Sequence, residues 1–243
     1  MHVMEASPMP GSLFVEGFRL MRERIAVYLA LAAVCGATAW FVLPHLDLYG
    51  ILANRPMELV TTPPVSVVLM FSLLGIFFIL PSALRRLEPT FKMTAVRAVM
   101  TLATLLSVGL VTDVGYAVAF VPGIILAVLL SQALIGALLQ TREGTGFKEA
   151  AKAIARSYRG SVEMTKSHFA TTLGVIAASL LILLVPFTFV LTFLVYLGVQ
   201  IPPSLVVMTP LLFLTFIYFE CVRYALIVRW YHHLAEDRLT ASP

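Results

Sequence analysis

Glu220 and Arg223 are the residues whose types and spacing come nearest to chemistry. They lie three positions apart in an otherwise apolar run, so one helix face carries both. A carboxylate and a guanidinium so placed have two readings. They form a structural ion pair near the cytoplasmic leaflet, with Arg223 reaching the headgroups, or they build a polar site or proton pathway. A charge in hydrocarbon is costly, so either reading turns them toward protein. Asp113, between two apolar runs, is the third candidate for an intramembrane polar site, although an outer-interface position suits it equally. Ser131 and Gln132 interrupt another apolar run and are polar enough to bond across helices.

Other chemistry is sparse. There is no HExxH, no GxSxG and no phosphate-binding loop, and Gly144-Thr-Gly146 precedes a helix without a strand before it. His232 and His233 are adjacent, so on a helix they point about 100° apart and make poor joint ligands. With Trp230 and Tyr231 beside them they read as an interfacial belt. Cys35 and Cys221 each sit in an apolar run without His or Asp at ligand spacing, as small buried hydrophobes do. No catalytic residue, cofactor or metal is therefore expected, and the chain reads as a non-enzyme.

The composition explains that scarcity. Of the 243 residues, 60% are hydrophobic and 12% are charged, about half the ~25% of an ordinary soluble domain. This excludes a soluble globular enzyme, a disordered chain and a disulfide-framed secreted domain. It predicts an all-α fold, a polytopic membrane helical bundle forming a single domain over 1–243. The net charge of +4 fits basic loops against an anionic leaflet better than nucleic acid.

A helix crosses ~30 Å of hydrocarbon in about 20 residues. That length predicts six transmembrane helices at about 25–43, 65–84, 95–115, 121–140, 169–199 and 204–230, arranged as three hairpins. Asp113 and Gly115 are expected to end the third, and Pro122 to open the fourth. Pro186 and Pro210 are expected to kink the fifth and sixth, and a re-entrant 187–199 is an alternative. Of the 17 Lys and Arg, all but Arg55 and Arg223 fall on one side of this plan. The asymmetry predicts a multi-pass protein of the cell membrane with both termini cytoplasmic.

Two cytoplasmic amphipathic helices complete the plan. In 12–24, Phe14, Phe18, Met21 and Ile25 form one stripe. In 146–166, Phe147, Ala151, Ile154, Tyr158, Val162 and Thr165 form the apolar stripe, with Thr145 as the expected N-cap. Lys148, Lys152, Arg156 and Arg159 stand on the opposite face, where they would meet anionic lipid headgroups or a protein partner. The alternative is a solvated face that only sets topology. Gly17–Ile25 weakly resembles Ser161–Phe169, and Lys92–Arg97 is a fainter third copy, so the hairpins read as parallel repeats with lead-in helices.

A family resemblance rests on three segments. They are Val121-Pro-Gly-Ile-Ile-Leu-Ala127, Phe147-Lys-Glu-Ala-Ala-Lys-Ala-Ile-Ala-Arg-Ser157 and Val162-Glu-Met-Thr-Lys-Ser-His-Phe169. Over about residues 121–175 the chain resembles a group of six-span bacterial membrane proteins. That group comprises the YciC-like proteins and the membrane domain of some glycerophosphodiester phosphodiesterases. The resemblance implies a six-helix integral membrane protein. It does not imply phosphodiesterase activity, because that group's catalytic domain is a separate soluble unit with no expected counterpart here. Tyr218-Phe-Glu-Cys-Val-Arg223 matches the group's span-six string only approximately.

Two functions follow as expectations. The first is a non-catalytic scaffold, assembly or envelope-maintenance protein of the bacterial cytoplasmic membrane, docking through 146–166. The second is a small transporter or lipid-handling protein that uses the polar residues of span six.

Overall fold

The computed structural model describes residues 10–42, 75–141, 147–198 and 202–241. The expected first outer loop with Arg55, the first half of the expected second span and the Thr145 cap lie outside them. Among the described residues the regular structure is helical, without strands. Four segments are long and apolar enough to cross a membrane, namely Ala95–Val118, Phe120–Gln140, Phe169–Pro186 and Thr209–Thr240. The chain thus has the make-up of a multi-pass membrane protein. It divides into two compact units, one of 1–82 with 180–225 and one of 83–179 with 226–243.

In the first unit, α1 (Pro10–Glu23) opens on a proline, which the first turn tolerates because its missing N–H needs no partner. It turns at Arg24 into the apolar helix α2 (Ile25–Val42). Gly17, Leu20, Tyr28 and Ala32 form the buried face, while Phe14, Phe18 and Ile25 of the predicted stripe stay exposed. A π-helical turn (Gly75–Ile79) leads into the short α3 (Leu80–Leu84). The central element is the first half of α9 (Pro202–Ala241), which buries Phe213, Phe216, Ile217, Glu220, Cys221 and Tyr224.

Glycines let these elements approach. A Cβ on Gly17 would lie 2.4 Å from Val222 Cγ2, and one on Gly75 would lie 2.3 Å from the Tyr224 ring. Gly36 faces Pro210 at 3.0 Å in the same sense. Missing side chains of this kind give helices close van der Waals contact where lipid offers no hydrophobic drive.

The second unit is built from α4 (Ala95–Val118), α5 (Phe120–Leu130), α6 (Ala133–Gln140) and α7 (Phe147–Lys166), with the start of α8 (Phe169–Gly198) and the end of α9. Thr94 caps α4 by accepting a hydrogen bond from the Arg97 amide at 3.3 Å. The helix runs through Asp113 and Gly115, contrary to the expected end there, and stops at Val118. The cause is Pro122, whose ring in a continuous helix would strike the carbonyl four residues earlier, that of Val118. Ala119 turns extended, and α5 returns along α4. Gly115 and Gly123 face each other there, a Cβ on Gly115 lying 3.0 Å from Gly123 Cα.

The expected fourth span is two helices, because the chain breaks at Ser131 and Gln132. Pro186 lies inside α8, and the backbone stays α-helical to Gly198, without a break at the proline. A two-residue turn at Ser167 and His168 joins α7 to α8, much as one residue joins α1 to α2. The third proposed repeat has no such lead-in: Phe91–Thr94 is irregular up to the α4 cap. Of the three expected hairpins, the described residues display the one made by α4 and α5.

Candidate functional site

The α7 helix is the element on which most of the site rests, and its buried face differs from the predicted stripe. Ala153, Ser157, Ser161 and Thr165 are buried at every fourth position, whereas Ala151 is exposed. Small side chains suit this face because it packs against the break between α5 and α6. The break leaves the Leu129 carbonyl and the Gln132 amide without helical partners. Ser161 Oγ donates to the Leu129 carbonyl at 2.6 Å and accepts from the Gln132 amide at 3.2 Å. Thr165 Oγ1 reaches the same carbonyl at 3.3 Å. A Cβ on Gly136 would stand 3.3 Å from Ser157 Cβ, so the two backbones nearly touch. Tyr158 adds a hydroxyl hydrogen bond to Ser107 of α4.

Arg97 holds the other end of this assembly. Sequence reading counts it among the charges that set topology, but it is fully buried. Its Nε donates to the Thr141 carbonyl at 2.7 Å and its Nη1 to the Lys92 carbonyl at 2.7 Å. Its guanidinium stacks 4.4 Å above the Phe91 ring. Thr141 is the C-cap of α6, so the cation sits at the negative end of a helix dipole and needs no carboxylate.

With its inner face fixed, α7 turns its polar face to a cleft of about 1010 Å³ that runs from the end of α6 to the end of α9. Lys152, Arg156 and Arg159 line it, as does Arg238 from the last turn of α9. Lys148, the fourth predicted contact, is exposed outside it. Glu163 joins the two helices: one oxygen takes Arg159 Nε at 3.0 Å and the other takes Arg238 Nη2 at 2.5 Å. Arg238 passes close over Gly160, where a Cβ would lie 3.7 Å from Nη1, in ordinary contact. Sequence reading missed this role of Glu163 and Arg238. Its one available signal is a basic residue at the end of a helix.

The same end of α9 meets the start of α8. Trp230 Nε1 donates to Thr172 Oγ1 at 3.2 Å. The Nε2 atoms of His168 and His233 each stand 3.6 Å from Asp237 Oδ2, and His232 pairs with Glu236 at 3.3 Å. Among the described residues no group of three His, Cys, Asp or Glu is arranged to hold a metal ion.

In the first unit Glu220 and Arg223 pair as their spacing predicts. Arg223 Nη2 and Nε reach Glu220 Oε2 at 2.8 and 2.9 Å. Glu220 is completely enclosed, and the Arg223 side chain is 14% exposed and lies 4.9 Å from the Tyr224 ring. Glu220 Oε1 has no hydrogen-bond partner among the described residues. Asp113 is exposed on α4 and belongs to the other unit. No family model, curated protein or solved structure matches the chain.

Proposed function

We propose that this is a non-catalytic six-span protein of the bacterial cytoplasmic membrane, with both termini cytoplasmic. In this reading it acts as a scaffold or assembly component that docks anionic headgroups or a protein partner on α7. The carrying observation is the division of labour on that helix. Its small hydroxyl face caps a helix break, so its position is fixed, and its basic face is left for contact. A helix whose only task was to set topology would need the charges but not the fixed orientation. The YciC-like resemblance points the same way by implying an integral membrane protein.

The test is native purification. Changing Lys148, Lys152, Arg156 and Arg159 together to Gln is expected to strip bound anionic lipid or a specific partner from the purified protein while it stays monodisperse. Unchanged lipids and partners would reduce the basic face to a topological role. A second reading, a small transporter or lipid-handling protein, is favoured by the enclosed Glu220 oxygen, which has no hydrogen-bond partner among the described residues. An unsatisfied carboxylate oxygen in a membrane interior is where a transported proton or cation would bind.

A further inference from the structure

The cleft between α7 and the end of α9 has more positive charge than its own carboxylates balance. Lys152, Arg156, Arg159 and Arg238 line it against Glu149 and Glu163. Glu163 serves Arg159 and Arg238. Lys152 and Arg156 are exposed and make no ion pair among the described residues. They stand four positions apart, and Arg159 follows at three, so the cations succeed one another along one helix face about one turn, or ~5.4 Å, at a time. Arg159 uses one N–H on Glu163 and has four more to offer.

We infer that this cleft is a binding site for a phosphate ester, seated on Lys152 and Arg156 and flanked by Arg159. Three features separate it from a merely basic surface. A fourth cation, Arg238, comes to the cleft from a helix distant in sequence. A carboxylate already bridges two of the guanidiniums, which demonstrates a geometry that accepts paired anionic oxygens. And the helix beneath is tied to the α5–α6 break by the Ser161 bonds, so its basic face is oriented before the ligand arrives. The inference rests on the docking reading of α7 and names the chemistry that docks. The phosphate belongs either to a phospholipid headgroup or to a soluble ester, and the two sources separate experimentally.

The experiment uses the full chain in a neutral detergent and measures saturable binding of dihexanoyl phosphatidylglycerol, with dihexanoyl phosphatidylcholine as the zwitterionic control. The double variant Lys152→Gln/Arg156→Gln is expected to lose at least tenfold in affinity for the anionic lipid. Lys148→Gln, outside the cleft on the same helix, is expected to change it less than twofold. Inorganic phosphate that displaces the lipid at comparable concentration assigns the site to soluble esters; lipid binding that phosphate does not disturb assigns it to headgroups. Equal losses from Lys148→Gln and from the double variant would overturn the inference by making the attraction diffuse. Failure of both phosphatidylglycerol and phosphate to bind the unaltered chain would also overturn it. If in that case the fourfold Gln variant still sheds a protein partner, the docking reading stands without the phosphate.

Discussion

Glu220 and Arg223 share one bond but not one environment. Glu220 has no exposed surface, whereas Arg223 keeps 14% and a long stem with which to reach water. Removing one partner of a buried pair leaves the other charge stranded. The stranded carboxylate is the worse case, because it cannot move out. Arg223→Gln is therefore expected to lower stability by about 3 kcal/mol, Glu220→Gln by less, and the double change is expected to recover part of the larger loss. Thermal unfolding in detergent measures this order. Additive losses, or a milder Arg223→Gln, would contradict a structural pair. The transport reading adds a separate outcome: Glu220→Gln stays folded and loses a pH-dependent flux. This pair was legible in the sequence because its partners are one helical turn apart. Arg97 was not, since its carbonyl partners at Lys92 and Thr141 depend on how α4 meets the end of α6.

At the scale of the elements, the joint between α7 and the α5–α6 break is the main structural device. Ser131 and Gln132 were visible as polar residues in an apolar run, but not as a break, because the run itself continues on both sides. The groups that make the break tolerable, Ser161 and Thr165, lie on another helix, and periodicity does not report such pairing. The same limit displaced the α7 stripe. An apolar count selects Ala151, Ile154 and Tyr158, while the observed face is chosen by size and hydroxyl position at Ser157 and Ser161, with Thr165 common to both. Helix ends set by proline could be read more closely, with the end of α4 moved from Asp113 to Val118 by Pro122. Ser161→Val is expected to destabilise the second unit by about 1–3 kcal/mol, because the Gln132 amide loses its only acceptor in a buried place. Ser167→Val, at the partly exposed turn beyond α7, is expected to cost less than about 0.5 kcal/mol. A smaller effect at Ser161 than at Ser167 in thermal unfolding would contradict the capping role.

Over the whole molecule, orientation decides which face of the cell the cleft meets. The α9 helix has 40 residues and so extends about 60 Å, twice the ~30 Å of hydrocarbon. In the proposed six-span reading its end emerges from the membrane, where Arg238 meets Glu163 of α7. In that reading α8 and α9 supply the two crossings that return the chain to the side of α7. This contact supports placing α7 and the C-terminal end on one side, the side on which the expected plan sets 15 of the 17 Lys and Arg. The sequence plan sets its first outer loop before about 65 and its second span at about 65–84; residues 43–74 lie outside the described ones. A reporter fused after Gly144, active only in one compartment, tests the account most directly, because the docking face, the cleft and the charge asymmetry all require that point to be inside. The account predicts a cytoplasmic signal at Gly144, with outside signals from matching fusions after Asn54 and Gln200. An outside signal at Gly144 would contradict it, since the basic face of α7 would then be turned away from the cytoplasm.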